Sequence, residues 1–131
     1  MNKFIVTILF IFFSFNCINS SSVNDEIEFI TRPQKKIKGD KDNLGCEDWI
    51  LNEKDIKKLF KAMKKVSPSE RHLFCYEYPC FYEAEIKFKD KKYKMIVNSA
   101  SYIELSNKDE TLNFILETSN KKFLIPCNCC E

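Results

Sequence analysis

The chain has 131 residues, among them seven cysteines, two glycines and one histidine, and its net charge is +2. A chain of this length builds one small domain. Two glycines cannot supply a dinucleotide-binding fingerprint, and neither Gly39 nor Gly45 precedes the Lys-Ser or Lys-Thr of a phosphate-binding loop. A single histidine excludes a zinc-protease helix with two histidine ligands. The nearly balanced charge gives no reason to expect a nucleic-acid partner.

The first segment has the pattern of a secretory signal. Lys3 precedes an apolar run over residues 4–15 that is broken only by Thr7 and Ser14. The run is shorter than the roughly 20 apolar residues that a membrane-crossing helix needs. A positive start, a short apolar stretch and a small polar segment after it are typical of an export leader.

Cys17 follows the apolar run directly. The segment Ser14-Phe15-Asn16-Cys17 resembles the lipobox of bacterial lipoprotein precursors. The resemblance implies cleavage before Cys17 and a diacylglycerol group on its thiol, which would anchor the protein to a membrane. That family prefers an aliphatic residue at the first of these positions and small residues at the next two. Cleavage after Ser20, which would discard Cys17, therefore remains the alternative.

The remaining chain is predicted to contain a flexible tether over residues 18–43 and a single domain over residues 44–131. The tether carries serines, a proline and a polar run without a persistent helical or strand period. Ile27, Phe29 and Ile30 leave open a short edge strand within it.

One amphipathic helix is predicted over residues 53–65. Asn52 is a suitable N-cap, and apolar residues then recur at helical spacing from Ile56 to Met63. Ser67-Pro68 is expected to stop the helix. Its other faces are rich in lysine. The preferred interpretation is a solvated face, and the alternative is a site for an acidic partner or a membrane surface.

Alternation with a period of two predicts about five antiparallel strands after the helix. Polar turn clusters separate them, the first at residues 90–92. The helix should cover the apolar face of this meander, giving a disulfide-braced α+β domain whose core includes Trp49 and Ile50. The predicted strands occupy residues 81–89, 93–98, 101–105, 112–116 and 123–125.

Glu83 and Glu85 lie two residues apart, so they share one face of the first predicted strand. They can be interpreted as a catalytic carboxylate pair. The preferred interpretation is cross-strand pairing with Lys94 and its neighbours on a wet face, and no catalytic residue is assigned.

Without Cys17, six cysteines remain, and an even set in an exported chain predicts a disulfide framework. Cys75 and Cys80 could close on each other, or both could reach the C-terminal cluster, which is the preferred pairing. The six residues are Cys46, Cys75, Cys80, Cys127, Cys129 and Cys130.

A metal site is the alternative use of the same residues. Zinc or Cu(I) could be held by soft ligands drawn from His72, Cys75, Cys80, Cys127, Cys129 and Cys130. The disulfide framework, which is the preferred interpretation, needs no cofactor. A Cys–His nucleophile built on His72 and Cys75 is disfavoured, because catalytic pairs usually join distant segments.

The domain also resembles small exported bacterial proteins of uncharacterised function, through Trp49, the segment Tyr78-Pro79-Cys80 and residues 98–102. The sequence therefore predicts an exported domain of the cell envelope, periplasm or medium. It would be anchored through Cys17 and would bind a protein partner rather than act as an enzyme. The alternatives are a cysteine-rich metal-binding protein and a soluble secreted inhibitor or immunity-type protein.

Overall fold

The computed structural model describes residues 26–39, 45–116 and 122–123. Within them the chain forms two helices and seven strands that join one antiparallel sheet, which confirms the α+β class. The predicted leader, Cys17 and the C-terminal cysteines lie outside the described residues. The elements are β1 (Glu28–Phe29), β2 (Gln34–Ile37), α1 (Glu53–Ala62), β3 (Lys64–Val66), α2 (Pro68–Phe74), β4 (Cys80–Phe88), β5 (Lys91–Asn98), β6 (Tyr102–Ser106) and β7 (Thr111–Ile115).

The sheet runs from β1 and β2, which both pair with β4, through β5, β6 and β7 to β3 at the opposite edge. Every pairing is antiparallel. The meander from β4 to β7 confirms the first four predicted strands. Of the fifth predicted strand, at residues 123–125, only Phe123 is among the described residues, and its side chain is buried.

A two-residue turn joins β4 to β5. Lys89 and Asp90 both have positive φ, at 48° and 62°, and Phe88 pairs directly with Lys91. Two successive left-handed residues match the twist of a hairpin, so the turn forms without glycine. The turn therefore occupies residues 89–90, whereas the sequence predicts it at residues 90–92.

One face of the sheet carries the main core. Alternate residues of β4, β5 and β6 are fully buried there, among them Ile86, Met95 and Ile103. Helix α1 covers this face through Ile56 and Phe60, as its helical period predicts.

The other face of the sheet, which carries Tyr102 and Glu104 of β6, packs against α2. The guanidinium of Arg71 stacks 4.5 Å from the ring centroid of Tyr102, and its Nη2 lies 3.8 Å from Oε2 of Glu104. Burial raises the pKa of Tyr102 to about 12, although the nearby Arg71 charge acts in the other direction. On this face Tyr102 also packs with Val66 and Ile115 in an apolar cluster that is separate from the main core. Helices therefore lie on both faces of the sheet.

The residues before α1 are split between core and solvent. Trp49 is buried and packs edge-on against Tyr82, with ring centroids 5.1 Å apart. The Tyr82 hydroxyl accepts the backbone N–H of Leu51 at 3.0 Å. The predicted burial of Trp49 is confirmed, whereas that of Ile50 is wrong because its side chain is exposed.

Helix α1 ends at Ala62, three residues before its predicted end. Met63 is extended, with φ −86° and ψ 153°, and the next three residues pair with β7 as β3. The segment Ser67-Pro68 begins α2 instead of stopping α1. The Ser67 and Glu70 side chains each accept the other's backbone N–H, which forms a capping box, and Pro68 stands in the first turn where its missing N–H costs nothing.

The predicted tether at residues 18–43 is wrong for residues 26–39, because β1 and β2 belong to the sheet. The open alternative of a short edge strand agrees with β1. Lys35 of β2 fixes the neighbouring loop, since its Nζ donates to the carbonyl oxygens of Cys46, Glu47 and Trp49 at 3.0, 2.9 and 3.3 Å.

Candidate functional site

The described cysteines are engaged in disulfides. Cys46 and Cys80 are bonded to each other with their Cα atoms 5.7 Å apart, and both are buried. Cys75 is disulfide-bonded as well. The structure therefore corrects both predicted pairings of Cys80, with Cys75 and with the C-terminal cluster. Cys127, Cys129 and Cys130 lie beyond the described residues.

These bonds weaken the alternative metal site. Cys75 and Cys80 are disulfide sulfurs and not thiolates, so two of the six predicted ligands are unavailable. His72 lies exposed on α2. Among the described residues no group of three or more histidine, cysteine or acidic side chains could hold a metal ion. The Cys75 thiol required for a Cys–His nucleophile is consumed in the same way.

Glu83 forms the ion pairs that the sequence favours over a catalytic pair with Glu85. Its carboxylate lies 2.7 Å from Nζ of Lys36 and 3.0 Å from Nζ of Lys94. Hydrogen bonds from Lys36 and Lys94 hold the pKa of Glu83 below its ordinary value. A general acid needs a raised pKa, so this carboxylate is suited to pairing and not to proton transfer.

The candidate functional site is a groove of about 600 Å³ at the C-terminal end of α1. Its floor is aromatic. The Phe60 ring centroid lies 4.7 Å from that of Phe114 and 5.3 Å from that of Phe88. Met63 and Leu112 line the groove beside these rings and are half-buried. The volume is in the range of small-ligand and side-chain pockets.

Lysines dominate the rim of the groove, which we call the lysine rim. It consists of Lys61, Lys65, Lys89 and Lys91, with Glu110 as the acidic residue in the lining. They come from α1, β3, the β4–β5 turn, β5 and the segment before β7. The fold therefore gathers residues from distant parts of the chain around one aromatic floor.

Tyr93, Lys91 and Glu110 form a hydrogen-bonded polar group at one end of the groove. Oε1 of Glu110 accepts hydrogen bonds from the Tyr93 hydroxyl at 2.7 Å and from Nζ of Lys91 at 2.8 Å. The bonds from Lys91 and Tyr93 lower the pKa of Glu110. Burial, followed by the bond to Glu110, raises the pKa of Tyr93. Both pKa values therefore move further from 7, so the two groups are better suited to holding a fixed charge pattern than to transferring protons.

A second depression of about 630 Å³ lies over β2, β4 and β5. Its charges are mixed in sign, since Arg32, Lys92 and Lys94 line it together with Glu83 and Glu85. Tyr93 is the one aromatic residue in its lining and is shared with the first groove, whose floor has three phenylalanine rings. The lysine-rimmed groove is therefore the stronger candidate for a binding site.

Sequence reasoning missed this groove. The sequence predicts Lys61 and Lys65 on one helix, whereas the structure has them on α1 and β3. The lysine-rich segment at residues 89–92 is the sequence signal that could have indicated the site. Its position next to α1 depends on strand pairing in the sheet, which cannot be predicted from the local sequence pattern.

No helix in the part of the chain that the structure describes is long and apolar enough to span a membrane. No protein-family model matches the chain, and comparison with curated proteins and with solved structures found no match either.

Proposed function

We propose that this chain is an exported binding domain, anchored to a membrane through lipid on Cys17, which contacts a protein partner through the lysine-rimmed groove. The single observation that carries the proposal is the buried Cys46–Cys80 disulfide. Stable disulfides form in oxidising compartments outside the cytosol, so this bond supports export.

The disulfide of Cys75 adds to this support, because two separate bridges brace a domain with a small core. The apolar run at residues 4–15 supplies a leader for export. The lipobox-like segment that ends at Cys17 supplies a site for the anchor.

Binding is favoured over catalysis by the charge states in and near the groove. The pKa of Glu110 is lowered and that of Tyr93 is raised, so both groups keep one protonation state at neutral pH. An aromatic floor with a charged rim is the arrangement of an interface, in which apolar contact gives affinity and charge gives selectivity.

Incorporation of a labelled fatty acid tests the anchor. We expect the full chain, expressed in bacteria, to carry the label in the membrane fraction, and Cys17→Ala to abolish it. The matched control is Cys46→Ala, which removes a different cysteine and should leave labelling intact. A soluble, unlabelled wild-type protein that begins at Ser21 would reject the anchor, and wild-type protein retained in the cytosol would reject export.

A further inference from the structure

We propose that the lysine-rimmed groove binds an acidic segment of a partner protein, in which one apolar side chain is flanked by carboxylates. The inference rests on the proposed binding function and names the chemistry of the partner. It combines two features of the groove, the charge of its rim and the depth of its floor.

The rim has an excess of positive charge. Lys61, Lys65, Lys89 and Lys91 face one lining carboxylate, that of Glu110. Glu26 pairs with Lys61 from outside the groove, and the charge of Asp109 also acts on Lys91, but among the lining residues four lysines stand beside one carboxylate. An anionic partner would complement this excess, and a cationic one would be repelled.

The existing ion pairs leave the lysines able to exchange partners. The Lys91–Glu110 pair joins side chains that are 61% and 35% exposed, and the Lys61–Glu26 pair joins side chains that are 63% and 47% exposed. Exposed pairs of this kind contribute little to stability. A carboxylate of the partner can therefore replace an internal one at small cost.

The floor is shallow, which favours a peptide over a fatty acid. Phe60, Phe88 and Phe114 are each at most 7% exposed, so most of their surface is already covered. Met63 and Leu112 retain more open surface and can contact one apolar side chain. A long acyl chain would leave most of its length in water there, with little gain from burial.

Fluorescence anisotropy with a labelled synthetic peptide tests the inference on the full chain with its disulfides closed. The probe is a short blocked peptide with one central phenylalanine flanked by glutamates. Two control peptides replace either the glutamates by glutamines or the phenylalanine by alanine. We expect both controls to bind at least about tenfold more weakly, and binding of the probe to weaken as salt rises from about 0.05 to 0.5 M.

Variants of the protein then locate the binding. We expect Lys65→Glu combined with Lys89→Glu to weaken binding of the probe at least about tenfold. Met63→Gln keeps the length of the side chain and should weaken binding through its polarity. The control is Lys54→Glu, which reverses a lysine near the other end of α1 and should leave binding unchanged. Thermal unfolding of each variant shows whether the fold is intact.

Equal binding by wild type and the Lys65→Glu/Lys89→Glu variant would overturn the inference, as would an equal loss in Lys54→Glu. Binding to anionic phospholipid vesicles that depends on the same lysines, without binding of the peptide, would overturn it in favour of a membrane surface. In each of these three cases the proposed export and anchor would stand. Peptide binding by a chain that remains in the cytosol would instead refute the proposed function and keep the inference.

Discussion

Cys46 and Cys80 are joined across a sequence separation of 34 residues, and their disulfide ties the loop before α1 to the first residue of β4. Lys35 fixes the same loop from β2 through three carbonyl oxygens. A covalent bond and a bound ammonium therefore hold the entry to α1 against the sheet.

Replacing both Cys46 and Cys80 by alanine should lower the free energy of unfolding by about 3–4 kcal/mol, because the bridge closes a long loop in the unfolded chain. Denaturant titration of the variant and wild type measures the difference. Reductant should affect the variant less than wild type, since one of the bridges is already absent. An unchanged unfolding midpoint would contradict the stabilising role of this bond.

Asn98 holds the turn after β5 from within. Its Oδ1 accepts the N–H groups of Tyr78 at 3.2 Å and Ala100 at 2.9 Å, and its Nδ2 donates to the Tyr78 carbonyl at 2.8 Å. The side chain is buried, so Asn98→Ala removes three hydrogen bonds from a site that bulk water does not reach. We expect a loss of about 2–4 kcal/mol in the free energy of unfolding, measured by denaturant titration.

Asn107 is the matched control for this prediction. Its Oδ1 also accepts two backbone N–H groups, those of Asp109 and Glu110, both at 2.9 Å. The turn is more accessible to water, which can replace the lost bonds, so Asn107→Ala should cost about 0.5–1 kcal/mol. Equal losses for the two variants would mean that burial does not set the importance of Asn98.

Asp90 is in the left-handed region with φ 62°, at the tip of the β4–β5 hairpin. Glycine adopts this conformation without strain, so Asp90→Gly should raise the free energy of unfolding by about 0.5–1 kcal/mol. Gly39→Ala is the reverse control, because Gly39 has φ 82° and an added Cβ meets no atom within 4 Å. It should destabilise the fold by about 1 kcal/mol through the backbone alone. Thermal unfolding that moved both variants in the same direction would refute this account.

The ion pairs of Glu83 predict a dependence of stability on pH. Its pKa in the folded protein lies below the ordinary value of 4.5, so the carboxylate stabilises the fold above that pH. This contribution is lost as pH falls through the folded pKa. Thermal unfolding midpoints of wild type and Glu83→Gln should differ at pH 7 and converge in acid.

Glu85→Gln is the control at neutral pH, because it removes a carboxylate from the same face of β4, and no ion pair of Glu85 is found in the described part of the chain. We expect it to change stability by less than about 0.5 kcal/mol. A gap between wild type and Glu83→Gln that stays constant down to pH 2 would show that the Glu83 charge is not responsible.

The strands that the sequence predicted are those with one buried face. In β4, Tyr82, Ala84 and Ile86 alternate with more accessible residues, and this produces a period of two. Strand β2 was missed because all four of its residues are exposed, so no alternation marks it. An edge strand of this kind is held by backbone hydrogen bonds to β4, which local sequence does not report.

The ends of the helices were also harder to predict from the sequence than the helical period of α1. The sequence predicts that Pro68 stops α1, although proline is also favoured in the first turn of a new helix. The capping box of Ser67 and Glu70 is a local signal that could have identified α2. The groove could not be found in this way, because Phe60, Phe88 and Phe114 are brought together only by the packing of α1 on the sheet.

The intact mass of the mature protein, recovered from the membrane fraction of an exporting cell, tests the central claim most directly. Spectra before and after thiol alkylation report the N-terminus, any lipid and the number of unpaired thiols. We predict a chain that begins at a lipid-modified Cys17 and in which Cys46 and Cys80 do not react until the protein is reduced. An uncleaved leader together with reactive thiols at Cys46 and Cys80 would contradict it.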